Sequence, residues 1–171
     1  MKTIHVLLAP AEFEHFAPKA LDDTACVVFD ILRATSTIVT ALANGAKVIL
    51  PAVDIPEALE LKRLLPDALL AGERDGLRIH AGLTGGTEFD LGNSPREFTR
   101  EKVDGKKVII TTTNGSRALK ACSHAPVCFA AAFLNMAATT ERLRSLPQNK
   151  LLMVCSGTGS KSSYEDTLAA G

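Results

Sequence analysis

Neither sign of charge is in excess in this chain: lysine and arginine together number 19, aspartate and glutamate 19. Without a net positive field nothing holds a polyanionic backbone by counterion release, so nucleic acid is not an expected partner. Long hydrophobic runs are missing too. The apolar stretches are strand-sized and broken by charges, and the amino terminus has no basic segment leading into an apolar one, so neither a membrane span nor a secretory signal is expected. Cysteine is scarce: Cys26, Cys122, Cys128 and Cys155 form no CxxC pair. They sit mostly in apolar runs, where a thiol packs as a small hydrophobe, and a reducing, cytoplasmic setting fits best. His5, His15, His80 and His124 are too scattered for a zinc ligand set and read as surface or packing residues.

What is present is an ordinary globular balance, 46% apolar and 22% charged over 171 residues. That length suits one domain spanning residues 1–171, with a core large enough to offset chain entropy unaided. Aliphatic and β-branched runs predict buried strands over 3–8, 26–32, 47–53, 68–72, 107–113, 127–133 and 151–155. Helical periodicity lies between them at 35–44, 56–65, 116–122 and 136–146. Strand and helix in alternation predict an α/β fold of βαβ units, with a largely parallel sheet and helices on both faces.

Two helix starts carry signatures: Asp54 with Glu57 around Pro56, and Ser94 with Glu97 behind Pro95. The stretch 73–93 is crowded with glycine, and a connection of that kind inside a compact domain is more often functional than structural. The final SYEDTLAAG reads as the opening of a helix that stops short, so the chain is expected to be a portion of a longer domain.

In a parallel α/β sheet, ligands bind at the carboxyl ends of the strands. Four predicted strand exits carry polar residues. In TTTNGSRAL a strand ends at Thr112 and Thr113, turns at Asn114 and Gly115, and enters a helix at Ser116. Free amides, the helix dipole and nearby hydroxyls at such a turn favour a phosphate. The same residues equally suit an Asx turn with Ser116 as a cap. In FDILRATSTIV, Asp30 leaves the strand, Arg33 is suited to a bidentate grip on an oxyanion, and Thr35 and Ser36 are candidates to bind the phosphate, either of them also being placed to cap the next helix. A local Asp30–Arg33 ion pair is the plainer alternative.

Glu73 and Arg74 stand at a third exit. If Asp30 and Glu73 share one cleft, they offer the two carboxylates that Mg²⁺ commonly takes beside water and substrate phosphate. A surface charge cluster is the alternative. Asn93 and Ser94 precede Pro95, where capping alone accounts for Ser94 and a substrate contact is open for Asn93. The fourth exit holds Cys155, Ser156 and Gly157. Cys155 is a candidate nucleophile if its pKa is lowered, and equally a packed thiol. Lys161 stands where a tyrosine-phosphatase loop needs arginine, and Ser160 and Cys155 occupy glycine positions of a Walker loop.

The blocks VVFDILRATSTIVTALANGA, AGERDG, LGNSP, TTTNGSRAL and CSGTGSKSSYED together resemble the 2-phosphosulfolactate phosphatase family of coenzyme M biosynthesis. The resemblance implies a three-layer α/β/α fold with a largely parallel or mixed central sheet. It also implies Mg²⁺ dependence and hydrolysis of (R)-2-phospho-3-sulfolactate to (R)-3-sulfolactate and phosphate. The matched positions are Asp30, Arg33, Glu73, Arg74, Asn93, Ser94, Thr112, Thr113, Asn114, Gly115, Cys155, Gly157, Glu165 and Asp166. Family members continue past the position of Gly171.

The expected mechanism is attack of water on phosphorus, with Asp30 and Glu73 holding Mg²⁺, the amides of Asn114 to Ser116 cradling phosphoryl oxygens, and Arg33 and Arg74 offsetting charge. A phospho-Cys155 intermediate and a non-catalytic binding module for small phosphorylated acids are the rivals. Self-association into a homo-oligomer stays open.

Overall fold

The computed structural model describes residues 3–13 and 21–171. His15 lies outside them. In chain order the strands are β1 (Thr3–Leu7), β2 (Thr24–Phe29), β3 (Val48–Pro51), β4 (Leu69–Arg74), β5 (Leu77–Arg78), β6 (Lys107–Thr111), β7 (Val127–Ala131) and β8 (Lys150–Cys155). The helices are α1 (Ala34–Ala43), α2 (Ile55–Leu64), α3 (Ala81–Thr84), α4 (Arg100–Val103), α5 (Gly115–Ala121), α6 (Met136–Arg144) and α7 (Tyr164–Ala170). The predicted α/β alternation holds from β2 to β4 and from β6 to α7. No helix among the described residues is long and apolar enough to cross a membrane.

The strands pair as two four-stranded sheets, in the orders β1-β8-β2-β7 and β3-β6-β4-β5, rather than as one hydrogen-bonded central sheet. Every pairing is parallel except the β4–β5 hairpin. Side chains alternate across each strand, and both faces are covered. In β2, Cys26 and Val28 pack with Ala118 and Cys122 of the α5 region. Ala25, Val27 and Phe29 of the same strand pack on the other side with Met136, Leu143 and Ala169 of α6 and α7. The second sheet repeats the pattern. Val108 and Ile110 of β6 meet Ile38 and Ala41 of α1, whereas Ile109 meets Ala58 of α2. Ala130 of β7 packs against the Val108–Ile110 cluster, so the two sheets share a core.

All four cysteines are free thiols. Cys122 hydrogen-bonds to both Cys26 and Cys128; the bond to Cys122, with burial, holds Cys26 well above the ordinary thiol range, and the bond to Cys128, with burial, does the same for Cys122.

Local signals account for the boundaries. The Asp54 side chain accepts from Glu57 N at 2.8 Å, and Glu57 Oε2 accepts from Val53 N at 2.6 Å, so α2 begins where its sequence signature places it. The second signature leads to something else. Behind Ser94 stands a single 3₁₀ turn, Pro95–Glu97, whose start has no side-chain cap. Glu97 Oε2 accepts instead from Gly92 N at 2.9 Å, fixing the segment that runs beside β4. The glycine-rich stretch contains the end of β4, the β5 hairpin and α3.

Candidate active site

The carboxyl ends of β2, β4, β6 and β8 bring their exit loops to a common rim. A cleft of about 450 Å³ opens there, lined by Asp30, Leu32, Arg33, Glu73, Asp75, Gly76, Asn93, Thr113, Asn114, Thr158 and Gly159. A larger hollow of about 520 Å³, walled mainly by aliphatic side chains of β8, α6 and α7, contains none of the residues singled out from the sequence. The chemistry gathers in the smaller one.

Asp30 follows β2 and is 7% exposed. Its Oδ1 accepts from Ala34 N at 3.0 Å, so the aspartate itself caps α1. Burial pushes its carboxyl up to about 6 against that bond, and the nearby Asp166 carboxylate adds to the rise. Thr35 and Ser36, expected at the ligand, face elsewhere. Thr35 Oγ1 accepts from Asp30 N at 3.1 Å and donates to Asp30 O at 2.9 Å, entirely buried. Ser36 Oγ donates to Ile31 O at 2.8 Å. Both hydroxyls fasten the loop that holds Asp30. Arg33 lines the cleft and donates from Nη2 to Gly76 O at 3.1 Å, which ties the β2–α1 loop to the β4–β5 hairpin. No Asp30–Arg33 side-chain ion pair forms.

Glu73 ends the buried part of β4 and is 8% exposed. Its Oε1 accepts from Thr113 N and Thr113 Oγ1, and its Oε2 accepts from Gly76 N at 2.9 Å. Arg74, the next residue, points away, as alternation along a strand requires. It donates from Nη1 to Glu73 O at 2.6 Å and from Nη2 to Thr111 Oγ1 at 3.0 Å, and it does not line the cleft. Its guanidinium is thus engaged within the fold, apart from the residues that line the cleft.

The β6–α5 turn divides the same way. Thr113 and Asn114 line the cleft. Thr112 and Ser116, each 2% exposed, hold one another: Thr112 N donates to Ser116 Oγ at 2.9 Å, and Ser116 N to Thr112 Oγ1 at 3.1 Å. The Ser116 amide is thus committed to Thr112 and is not part of a phosphate cradle. Gly115 serves close packing. A Cβ there would stand 2.5 Å from Asp30 Oδ2 and 2.6 Å from Ala34 Cβ, so only glycine lets the two helix starts meet.

At the end of β8, Cys155 is completely buried and absent from the cleft wall. Burial first, then the carboxylates of Asp166 and Glu12, push its thiol up to about 12, which disfavours the thiolate that a nucleophile needs. Ser156 is also buried, with its hydroxyl 3.4 Å from Asp166 Oδ2. Gly157, at φ +65°, donates its amide to the same oxygen at 3.1 Å. Neither touches the cleft, which Thr158 and Gly159 line instead.

Asp166 was legible only as a matched position, yet it organises this side of the site. It is 1% exposed, and its Oδ1 accepts from Ile31 N at 2.8 Å, so one carboxylate straps the β2–α1 and β8–α7 loops together. Burial raises its pKa. The Ser163–Asp166 cap spacing, with Asp166 N donating to Ser163 Oγ at 3.4 Å, is the signal that marks it. Glu165 and Ser94 do not line the cleft, and Asp75, at φ 54°, lines it without having been predicted.

Asn93 is 6% exposed and lines the cleft, and its Oδ1 is buried with no hydrogen-bond partner. The lining side chains comprise three acids, Asp30, Glu73 and Asp75, against the single cation Arg33. No group of three or more His, Cys, Asp or Glu is disposed to cage a metal among the described residues. Two carboxylates in one open cleft are nevertheless the donor set that Mg²⁺ accepts, since it fills its remaining positions with water and substrate oxygen.

The family described as 2-phosphosulpholactate phosphatase matches residues 12–171. A protein of Caldicellulosiruptor saccharolyticus named "Probable 2-phosphosulfolactate phosphatase" is 44% identical over 165 residues, covering 94% of this chain and 65% of its own. Proteins of the same name from Thermotoga maritima and Clostridium perfringens are 44% and 43% identical, over 85% and 92% of this chain. The match spans 65%, 59% and 62% of these relatives' own lengths, less than two thirds of each. The chain belongs to the 2-phosphosulpholactate phosphatase family.

Proposed function

We propose that the cleft hydrolyses the phosphate ester of a small acidic hydroxy acid, (R)-2-phospho-3-sulfolactate, giving (R)-3-sulfolactate and phosphate. The observation that supports this most is the meeting of Asp30, Arg33, Glu73, Thr113 and Asn114, from three separate strand exits, in one cleft. The relatives' printed names supply the substrate.

Three acids against one arginine make a poor host for a polyanionic ester alone, which supports a cation requirement. Asp30 and Glu73 would hold Mg²⁺, which when bound neutralises phosphoryl charge. Arg33 offers charge-assisted hydrogen bonds to the phosphoryl oxygens, and Asn114 a neutral donor beside it. Glu73 engages both donors of Thr113, so the turn beyond β6 is fixed before the ester arrives. Water adds to phosphorus, the ester P–O bond breaks, and the departing alcohol oxygen gains the proton that the water gives up. A place in coenzyme M biosynthesis follows from that substrate. Balanced charge and four free thiols support a cytoplasmic setting without nucleic acid.

The test is a phosphate-release screen over phosphorylated hydroxy acids, with and without Mg²⁺. Release from the sulfolactate ester is expected, dependent on the cation. Calorimetric binding of the ester with no release over hours would replace the reading with a binding module.

A further inference from the structure

Asn93 presents a contradiction that the hydrolytic reading alone does not resolve. Its side chain is more than nine-tenths buried, its Oδ1 is sealed from solvent, and no donor among the described residues meets that oxygen. Leaving a buried acceptor unmet costs about 1–3 kcal/mol, and such an atom calls for an explanation. Among the described residues the other unmet side-chain atoms, Thr37 Oγ1 and Gln148 Oε1, lie away from the cleft.

The position of Asn93 is enforced by its neighbours. Leu91 runs parallel beside β4, with Leu91 N donating to Leu70 O at 3.1 Å and Gly72 N to Leu91 O at 3.1 Å. Glu97 holds the Gly92 amide at 2.9 Å, and Pro95 stiffens the chain just beyond. Asn93 is thereby delivered to the rim next to the strand that carries Glu73. A side chain this constrained cannot escape to water to satisfy itself.

The chemistry of the surrounding oxygens identifies the missing partner. An unmet acceptor requires a donor or a cation, and the ester bears only anionic groups. The cleft already contains the acceptor-only carboxylates of Asp30 and Glu73. A carboxamide oxygen from a residue lining the same cleft as two carboxylates completes a hard-oxygen set, of the kind that binds Mg²⁺ or Mn²⁺. We infer that Asn93 Oδ1 is a third protein oxygen of a divalent-cation site shared with Asp30 and Glu73. This rests on the cation requirement proposed above and adds a residue that ordinary acid counting overlooks, because a neutral amide is invisible to it.

The test titrates the protein with Mn²⁺ at pH 7.5 without substrate, reading free ion by its paramagnetic resonance signal. Asn93→Ala is expected to weaken Mn²⁺ binding at least tenfold, and Asn93→Asp to bind at least as tightly as the parent, because a carboxylate replaces the carboxamide oxygen and adds charge. In chelator, Asn93→Ala should melt no lower than the parent, since it removes a group the cation-free fold leaves unmet. Parental Mn²⁺ affinity in Asn93→Ala, or weaker binding in Asn93→Asp than in Asn93→Ala, overturns the inference while leaving the hydrolytic reading intact. If the parent itself binds no Mn²⁺, the cation requirement falls as well, and the two failures are told apart.

Discussion

Glu73, at the end of β4, and Thr113, just beyond β6, are joined twice: one carboxylate oxygen, Glu73 Oε1, accepts from the Thr113 amide at 2.8 Å and from its hydroxyl at 2.9 Å. With Glu73 Oε2 on the Gly76 amide, a single acidic side chain sets the spacing of two walls of the cleft. Glu73→Gln cannot reproduce this, because its NH₂ end must face either the Thr113 donors or the Gly76 donor. Urea denaturation is expected to show a loss of about 1–3 kcal/mol, together with loss of Mg²⁺-stimulated phosphate release. Parental stability and activity in that variant would contradict the assignment.

The two arginines should separate cleanly. Arg33 lines the cleft, whereas Arg74 is spent on Glu73 O and Thr111 Oγ1. Arg33→Ala is expected to raise KM at least tenfold with little change in melting temperature. Arg74→Ala should lower the melting temperature by several degrees, having stranded buried acceptors, and leave KM within about threefold. Steady-state kinetics beside thermal melts decide the matter, and the reverse pattern would reassign both residues.

Cys155 should be dispensable for chemistry. Burial pushes its thiol up to about 12, and it does not line the cleft. Cys155→Ala is expected to release phosphate within about fivefold of the parental rate, and acid quenching should trap no phosphorylated cysteine in the parent. A loss beyond a hundredfold in a variant that still melts cooperatively would restore the nucleophile.

Asp30 links site and stability through pH. Its carboxyl rises from 3.8 in the unfolded chain to about 6 in the folded protein. Below the lower value both states are protonated. As pH climbs between the two, only the unfolded chain ionises, so stability falls; above the upper value the folded protein bears a buried charge at full cost, on the order of 3 kcal/mol. Asp30→Asn keeps an acceptor for Ala34 N and lacks that charge. In chelator it should melt several degrees above the parent at pH 8, with the advantage vanishing towards pH 4. An advantage that grows as pH falls would contradict the assignment.

The rim itself could be read from the residues: Asp30, Arg33, Glu73, Thr113 and Asn114 were singled out at strand exits and Asn93 at a helix start, and all line the cleft. What escaped was the direction of each side chain. Arg74 follows Glu73 within β4, so the two-residue period of a strand already forbids both from facing one cleft, a rule the motif obscured. Thr35, Thr112, Ser116 and Ser156 look like phosphate donors in a linear string. Their hydroxyls instead close loops onto Asp30, onto one another or onto Asp166, and such short-range bonds leave no periodic trace. The division into two sheets was hidden for a related reason, because strand order is set by long-range pairing that alternating strands and helices do not encode.

The central claim is that this one rim catalyses cation-dependent ester hydrolysis, and it is tested most directly by phosphate release from 2-phospho-3-sulfolactate in parent and Asp30→Asn, each with Mg²⁺ and with EDTA. The account predicts release only from the parent with Mg²⁺, with the variant slower by at least a thousandfold. Release by the parent undiminished in EDTA, or by Asp30→Asn at the parental rate, would contradict it.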